Sequence, residues 1–177
     1  MIRTTLALVA LIGATPVLAV APEDQSPPAP TPTTTACADG QVWDDTEDAC
    51  ISIEQSALSE EILRSTAREL AYAGRSGDAL SLLSRSTAPG TSEVLTLTAC
   101  AHGKAGDLDT ALPIYARALE ADPGNLLARA YMGLALIAAG RPEAAAQLDQ
   151  IRARGGAGSW PDRALSEAVA AGAPIGY

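Results

Sequence analysis

The stretch "GDLDTALPIYARALEADPGN", residues 106–125, carries the plainest periodicity in the chain. Leu108, Ala111, Leu112, Tyr115, Ala118 and Leu119 fall at i, i+3, i+4, i+7, i+10 and i+11, one face of an α-helix. Asp107 stands at the N-cap and "DPGN" (122–125) closes the run, so the spacing predicts a helix over about 108–121 with its apolar stripe turned to a core. Pro113 lies past the first turn and should bend that helix locally or delay its start.

The same grammar extends to both sides. Upstream it predicts helices over about 60–73, 77–87 and 92–104, punctuated by the N-cap Ser59, by Gly74 and by "APG" (88–90). Downstream it predicts helices over about 126–139, 142–154 and 161–171, separated by Gly140 and the hinge "GGAGSWP" (155–161). No segment has the pattern of a central strand. A glycine followed five residues later by alanine recurs as Gly74 and Ala79, Gly106 and Ala111, Gly140 and Ala145, the glycines lying 32 and then 34 residues apart. That period belongs to helix-turn-helix arrays, in which small residues let two helices approach closely.

On these residues the chain resembles the tetratricopeptide repeat family. The middle unit carries the match best, with Leu95, Ala99, His102 and Gly106 followed by Ala111, Tyr115, Ala118 and Pro123. The third keeps Gly133, Leu136, Gly140 and Ala145, but has Arg129 where a large apolar residue is usual and Asp149 where an aromatic is usual. The first keeps Leu63, Ala67, Leu70, Gly74, Ala79 and Leu83, with a linker two residues short. The resemblance covers about residues 60–154. It implies an all-α fold, a right-handed α-solenoid of about three helix pairs with residues 161–171 as a C-terminal capping helix, in a repeat domain spanning 54–173 before a tail at 174–177.

The resemblance further implies a concave groove for a partner segment, lined by the first helix of each pair. The first unit would show Glu61, Arg64, Arg68 and Tyr72, and the second Glu93, Thr96, Cys100 and Lys104. The third would add Leu127, Ala130, Leu134 and Ile137, unless that apolar end packs beneath the final helix. The cationic clamp that some members use for a terminal carboxylate is not evident, because Leu127 and Tyr131 occupy its expected places.

Residues 1–21 read as a secretory signal. Arg3 precedes the broken apolar run 4–19, and "AVA" (19–21) offers a small-x-small cleavage pattern, with an uncleaved anchor as the alternative. Residues 22–36, "PEDQSPPAPTPTTTA", hold almost nothing apolar and should form a flexible tether. Alanine abundance, the absence of phenylalanine and a single lysine, Lys104, suggest a bacterial chain, and with the signal a periplasmic or secreted one. The formal net charge of −9 disfavours nucleic acid and anionic membrane as partners.

"CADGQVWDDTEDAC" (37–50) is read as a loop closed by a Cys37–Cys50 disulfide, within a hairpin over 37–53 that pairs "QVW" (41–43) with "CISI" (50–53). Redox sites prefer cysteines a few residues apart beside a helix N-terminus. A calcium loop is the rival for Asp39, Asp44, Asp45, Glu47 and Asp48, but the regular ligand spacing is missing. Trp43 is expected to anchor the hairpin on the first helix pair, or else to be an exposed binding residue. Cys100 and His102 are expected to be packing residues, with a partner-linked or reactive thiol as the alternative for Cys100.

No nucleophile elbow, zinc motif or phosphate loop is present in the sequence, so no enzyme activity, metal or cofactor is expected. The favoured function is an exported adaptor that binds a segment of another envelope protein. The alternatives are a self-associating structural subunit and a cation- or carbohydrate-contacting module built on the Trp43 loop.

Overall fold

The computed structural model describes residues 25–174. The expected signal, the first residues of the expected tether and the last of the tail lie outside the described residues. The chain forms α1 (Pro32–Thr35), the hairpin β1 (Gln41–Asp44) and β2 (Ala49–Ser52), and a single 3-10 turn (Ile53–Gln55). Then come α2 (Glu60–Tyr72), α3 (Ser76–Leu83), α4 (Ser92–Lys104), α5 (Leu108–Ala121), α6 (Leu126–Ala138), α7 (Ala144–Ala153) and α8 (Trp160–Ala171). Successive helices pack in neighbouring pairs, α2 with α3, α4 with α5, and α6 with α7, and the first helices also touch one another, α2 to α4 and α4 to α6. The fold is an α-solenoid, with α8 laid against both helices of the third pair.

The repeat glycines have a backbone reason. Gly74, Gly106 and Gly140 sit at φ +80°, +85° and +66°, the left-handed region that a side chain disfavours. Each follows the last helical turn, and the next residue reaches back to close it. The N–H groups of Arg75, Asp107 and Arg141 donate to the carbonyls of Leu70, His102 and Leu136 at 2.9, 3.0 and 2.8 Å. This is one helix-ending motif used three times, and it turns the chain into the second helix of each unit in the same way.

The alanine half of the pattern holds in two units. Ala79 and Ala111 are fully buried, but in the third unit Ala145 is exposed and Ala144 takes the packed place. Residues 142 and 143 form a turn, so α7 begins later than the proline-first helix expected and its inward face is shifted by one residue. In α5 the stripe is as expected, with Ala111, Tyr115 and Ala118 wholly buried. Pro113 is on the exposed side of an unbroken helix, where the carbonyl it leaves without an amide partner, that of Asp109, faces solvent.

Residues 31–35 of the expected tether are not free. Residues 32–35 form a helical turn against α2, because Glu69, 6% exposed, draws them in. Its carboxylate accepts from the Thr31 N–H at 2.7 Å, from the Thr31 hydroxyl at 2.8 Å and from the Thr34 hydroxyl at 2.5 Å. Proline–threonine composition gives no hint of a buried carboxylate waiting on another helix.

The Cys37–Cys50 disulfide closes the hairpin, whose strands pair antiparallel with Val42 opposite Ile51 and Trp43 opposite Cys50. Strand alternation then puts Val42 and Ile51 on one face and Trp43 and Cys50 on the other. Val42, fully buried among Ile53, Leu63, Leu70 and Leu82, is the anchor, in place of the expected Trp43. Trp43 is half-buried and its indole N–H donates to Asp45 at 3.0 Å.

Candidate functional site

A cleft of about 670 Å³ opens between the first helices of the three units. One wall is α2, with Glu61, Ile62, Arg64, Ser65 and Arg68; α4 supplies Glu93, Thr96 and Leu97; Asp122, Gly124, Asn125, Leu126 and Leu127 close the far side. Six of the groove residues expected from the sequence are therefore gathered here: Glu61, Arg64, Arg68, Glu93, Thr96 and Leu127.

The others are placed differently. Cys100 is fully buried and Leu134 is 1% exposed, both in the cluster that contains Leu165 of α8. Ala130 is in that cluster too, so Ala130 and Leu134 of the expected apolar end are core beneath α8, while Leu127 stays in the cleft. Tyr72, Lys104 and Ile137 are half-buried and do not line the cleft. Thr96 lines it but is 1% exposed, its hydroxyl donating to the Ser92 carbonyl at 2.6 Å. His102 is also not a pure packing residue, since its Nδ1 lies 3.3 Å from Asp107.

The polar floor is closed on itself. Asn125 caps α6 by accepting from the Ala128 N–H at 2.9 Å, and its amide donates to the hydroxyls of Ser92 and Thr96 at 2.9 and 3.2 Å. Ser92 donates in turn to the carbonyl of Ala118 at 2.8 Å. These groups hold α4, α5 and α6 in register, and little of their bonding capacity is left for a ligand. What the cleft presents is apolar surface from Ile62, Leu126 and Leu127, two cations one turn apart on α2, and the carboxylates of Glu61, Glu93 and Asp122. Ile62, 49% exposed, is the large apolar side chain left most open to solvent among the described residues.

Behind the cleft stands an aromatic column. Tyr72 lies 6.3 Å from Tyr131 and Tyr131 lies 6.0 Å from Trp160, the second pair edge to face. The Lys104 ammonium sits 3.9 Å from the centroid of the Tyr72 ring. Burial pushes the Tyr72 and Tyr131 phenols above the ordinary tyrosine range, the Cys100 thiol up to about 11, and the Lys104 ammonium down. Each shift favours the neutral form, as expected where charge loses water.

Residues 104–154 match a tetratricopeptide repeat family model. The match begins at the last residue of α4 and runs through α7, so it supports the family on the second helix of the middle unit and on the whole third unit. No curated protein and no solved structure matches the chain. The neighbouring helix pairs are consistent with a tetratricopeptide-like α-solenoid, and the cleft lies between the first helices of those pairs.

Sequence reasoning misses the loop 122–125 as a wall of the cleft because "DPGN" reads only as a helix stop. It also misses Gln25, which lines the cleft although it falls in the expected tether. Ile62 has a signal, an apolar residue beside the groove position Glu61 that lies off the buried stripe of Leu63, Ala67 and Leu70. Among the described residues no group of three or more His, Cys, Asp or Glu side chains is placed to hold a metal ion. The carboxylate of Asp44 is instead engaged by the turn it begins, accepting from Thr46 and Glu47 N–H groups at 2.8 and 3.2 Å. Among the same residues no helix is long and apolar enough to cross a membrane.

Proposed function

We propose that the protein is an exported, non-enzymatic adaptor that holds an extended segment of another envelope protein in the cleft between α2, α4 and α6. The observation that carries this reading is the cleft itself, walled by the first helices of three successive units and offering both apolar and charged side chains. A repeat array presents such a surface along its whole length, so a segment can be gripped at several points without a deep pocket. The signal-like start of the sequence and the Cys37–Cys50 disulfide support an oxidising compartment. The repeat match supports protein rather than small-molecule recognition.

The test is site-directed photocrosslinking in the producing cell. A photoreactive residue replaces Arg64 or Leu127 in the cleft, and Arg117 on the exposed side of α5 serves as the control. The adaptor reading expects one and the same partner captured from Arg64 and Leu127 and not from Arg117. Equal capture from all three positions would overturn it.

A further inference from the structure

The charged side chains that line the cleft are not equally committed to the fold. Arg68 donates from Nε to Tyr131 and from Nη2 to the carbonyl oxygen of Gln25, so its guanidinium is engaged within the protein. Arg64, half-buried one turn earlier, follows Glu60 by four residues on α2, the better orientation for an acid–base pair on a helix. Its charge adds, after the Thr87 N–H and the Ser86 and Thr87 hydroxyls, to what lowers the Glu60 carboxyl. Glu61 and Glu93 differ: both are exposed, and among the described residues neither takes part in an ion pair or a hydrogen bond.

The acids are placed by the repeat. Glu61 is the second residue of α2 and Glu93 the second of α4, equivalent positions 32 residues apart, and Asp122 stands in the loop that leads into α6. All three line the cleft, one at the head of each unit. They form a spaced row, since among the described residues no three such side chains are close enough to share a metal ion. Packed helix axes lie about 8–10 Å apart, and an extended chain advances about 3.3 Å per residue, so about three residues of a bound segment reach from one unit's acid to the next. The same cleft offers apolar surface at Ile62, 49% exposed, and at Leu127. The net charge of −9 draws cationic partners towards the chain as a whole. An acidic segment would meet three carboxylates with Arg68 already engaged and Arg64 set beside Glu60.

We propose that the cleft's partner is an extended basic protein segment, with lysine or arginine about every third residue and an aliphatic side chain between them. Its cations pair with Glu61, Glu93 and Asp122, and its aliphatic group packs on Ile62 and Leu127. This rests on the adaptor reading above and names the chemistry of the segment that is held. A first-turn acid also steadies its own helix through the helix dipole, so binding has to be measured apart from stability.

Selection from a phage-displayed library of random dodecapeptides on the full chain is the test. The expected winners carry two or more basic residues about three apart, with an aliphatic residue between them. A fluorescein-labelled synthetic winner should bind the Glu61→Gln/Glu93→Gln chain at least about five-fold more weakly than the unaltered chain, within the range for two surface ion pairs. Ile62→Ser should weaken binding as well. The control is Asp149→Asn/Glu167→Gln, which removes the same charge from exposed positions on α7 and α8 and should change affinity less than about two-fold. Affinities are compared at a temperature where circular dichroism shows every chain folded. Acidic or neutral winners, no enrichment, equal weakening in the two acid-depleted chains, or unchanged binding to Ile62→Ser overturn the proposal. One partner captured in the cell from Arg64 and Leu127, with acidic or neutral winners here, leaves the adaptor reading standing and removes this one. Basic winners held through Glu61 and Glu93, without such capture, do the reverse.

Discussion

The phenol of Tyr72 donates to the phenol of Tyr131 across 3.0 Å and so fastens the first helix pair to the third. The same Tyr131 oxygen accepts from Arg68 Nε–H, also at 3.0 Å. Since Tyr131 is fully buried, the pair is shielded from competing water, and two donors on α2 depend on one acceptor on α6. Tyr131→Phe keeps the ring and removes that acceptor. It should cost about 1–2 kcal/mol, the range for stranding a part-buried donor. Urea denaturation is the measurement, with a lower midpoint and an unchanged slope expected; an unchanged midpoint would show that the tie is not stabilising.

Removing the disulfide should weaken the fold without detaching the cap. Its cysteines are 13 residues apart in sequence, and closing a loop of that size contributes about 3 kcal/mol in the chain-entropy model. The cap has a second attachment. Arg75, its side chain 13% exposed, donates to the carbonyls of Thr33 and Ala38 at 2.8 Å and of Gln41 at 3.0 Å, while pairing with Asp78 at 2.6 Å. The Cys37→Ser/Cys50→Ser chain should therefore melt at a lower temperature in one cooperative transition. Proteolysis of residues 37–50 well before the helices unfold would show that Arg75 and Val42 do not hold the cap alone.

Gly133 marks the closest approach of α8. A Cβ placed there would lie 2.6 Å from both methyl carbons of Leu165, which is fully buried. Gly133→Ala should destabilise by about 1–3 kcal/mol, typical of overpacking, even though alanine is the better helix former. Adding Leu165→Ala should restore part of the loss, a sign of coupling that a double-mutant cycle measures directly. Strictly additive effects would mean that α8 shifts away at no cost.

How much of this is legible in the sequence follows from which interactions are local. Helix spacing and the three left-handed glycines are local properties, and residues 60–72, 92–104 and 108–121 can be placed from them closely. The two faces of a β-strand are equally local, but which one meets a core is not. Size favours Trp43, yet Val42 holds the buried face because of what α2 and α3 present to it. The groove shows the same division. Family spacing selects the first-helix face, yet Cys100 and Leu134 on that face are sealed by Tyr131 and α8, elements distant in sequence. Arg75 and Glu69, which organise the whole cap, look like ordinary surface charges, because their partners are backbone groups and hydroxyls far along the chain, 38 residues away in the Glu69–Thr31 pair.

Cys100 should be chemically silent in the folded chain. Burial pushes its thiol up to about 11, so at pH 8 only about one molecule in a thousand carries the thiolate. Thiol titration with a chromogenic disulfide reagent at pH 8 should find no fast-reacting group in the native protein and one after denaturation. A rapid stoichiometric reaction in the native state would place Cys100 on an accessible surface after all.

Acid should unfold the chain through its helix ends. The carboxylate of Asp162 accepts from the Gly158 N–H at 2.9 Å and pairs with Arg152 at 2.8 Å, which holds its pKa below the ordinary value. Glu60 is lowered by the Thr87 N–H and the Ser86 and Thr87 hydroxyls, and Asp107 by its bonds with Thr110. All three folded-state values lie beneath their unfolded ones. Their contribution is thus complete above the unfolded carboxylate range near about 4 and is lost as pH falls through the lower folded values. Thermal melting followed by circular dichroism should give a midpoint that changes little between about pH 5 and 7 and declines steadily below about pH 4. Asp162→Asn should reduce the decline while lowering the midpoint at neutral pH, since the amide loses the ion pair but no longer titrates. A midpoint that stayed level down to about pH 2 would show that these capped carboxylates contribute nothing to the fold.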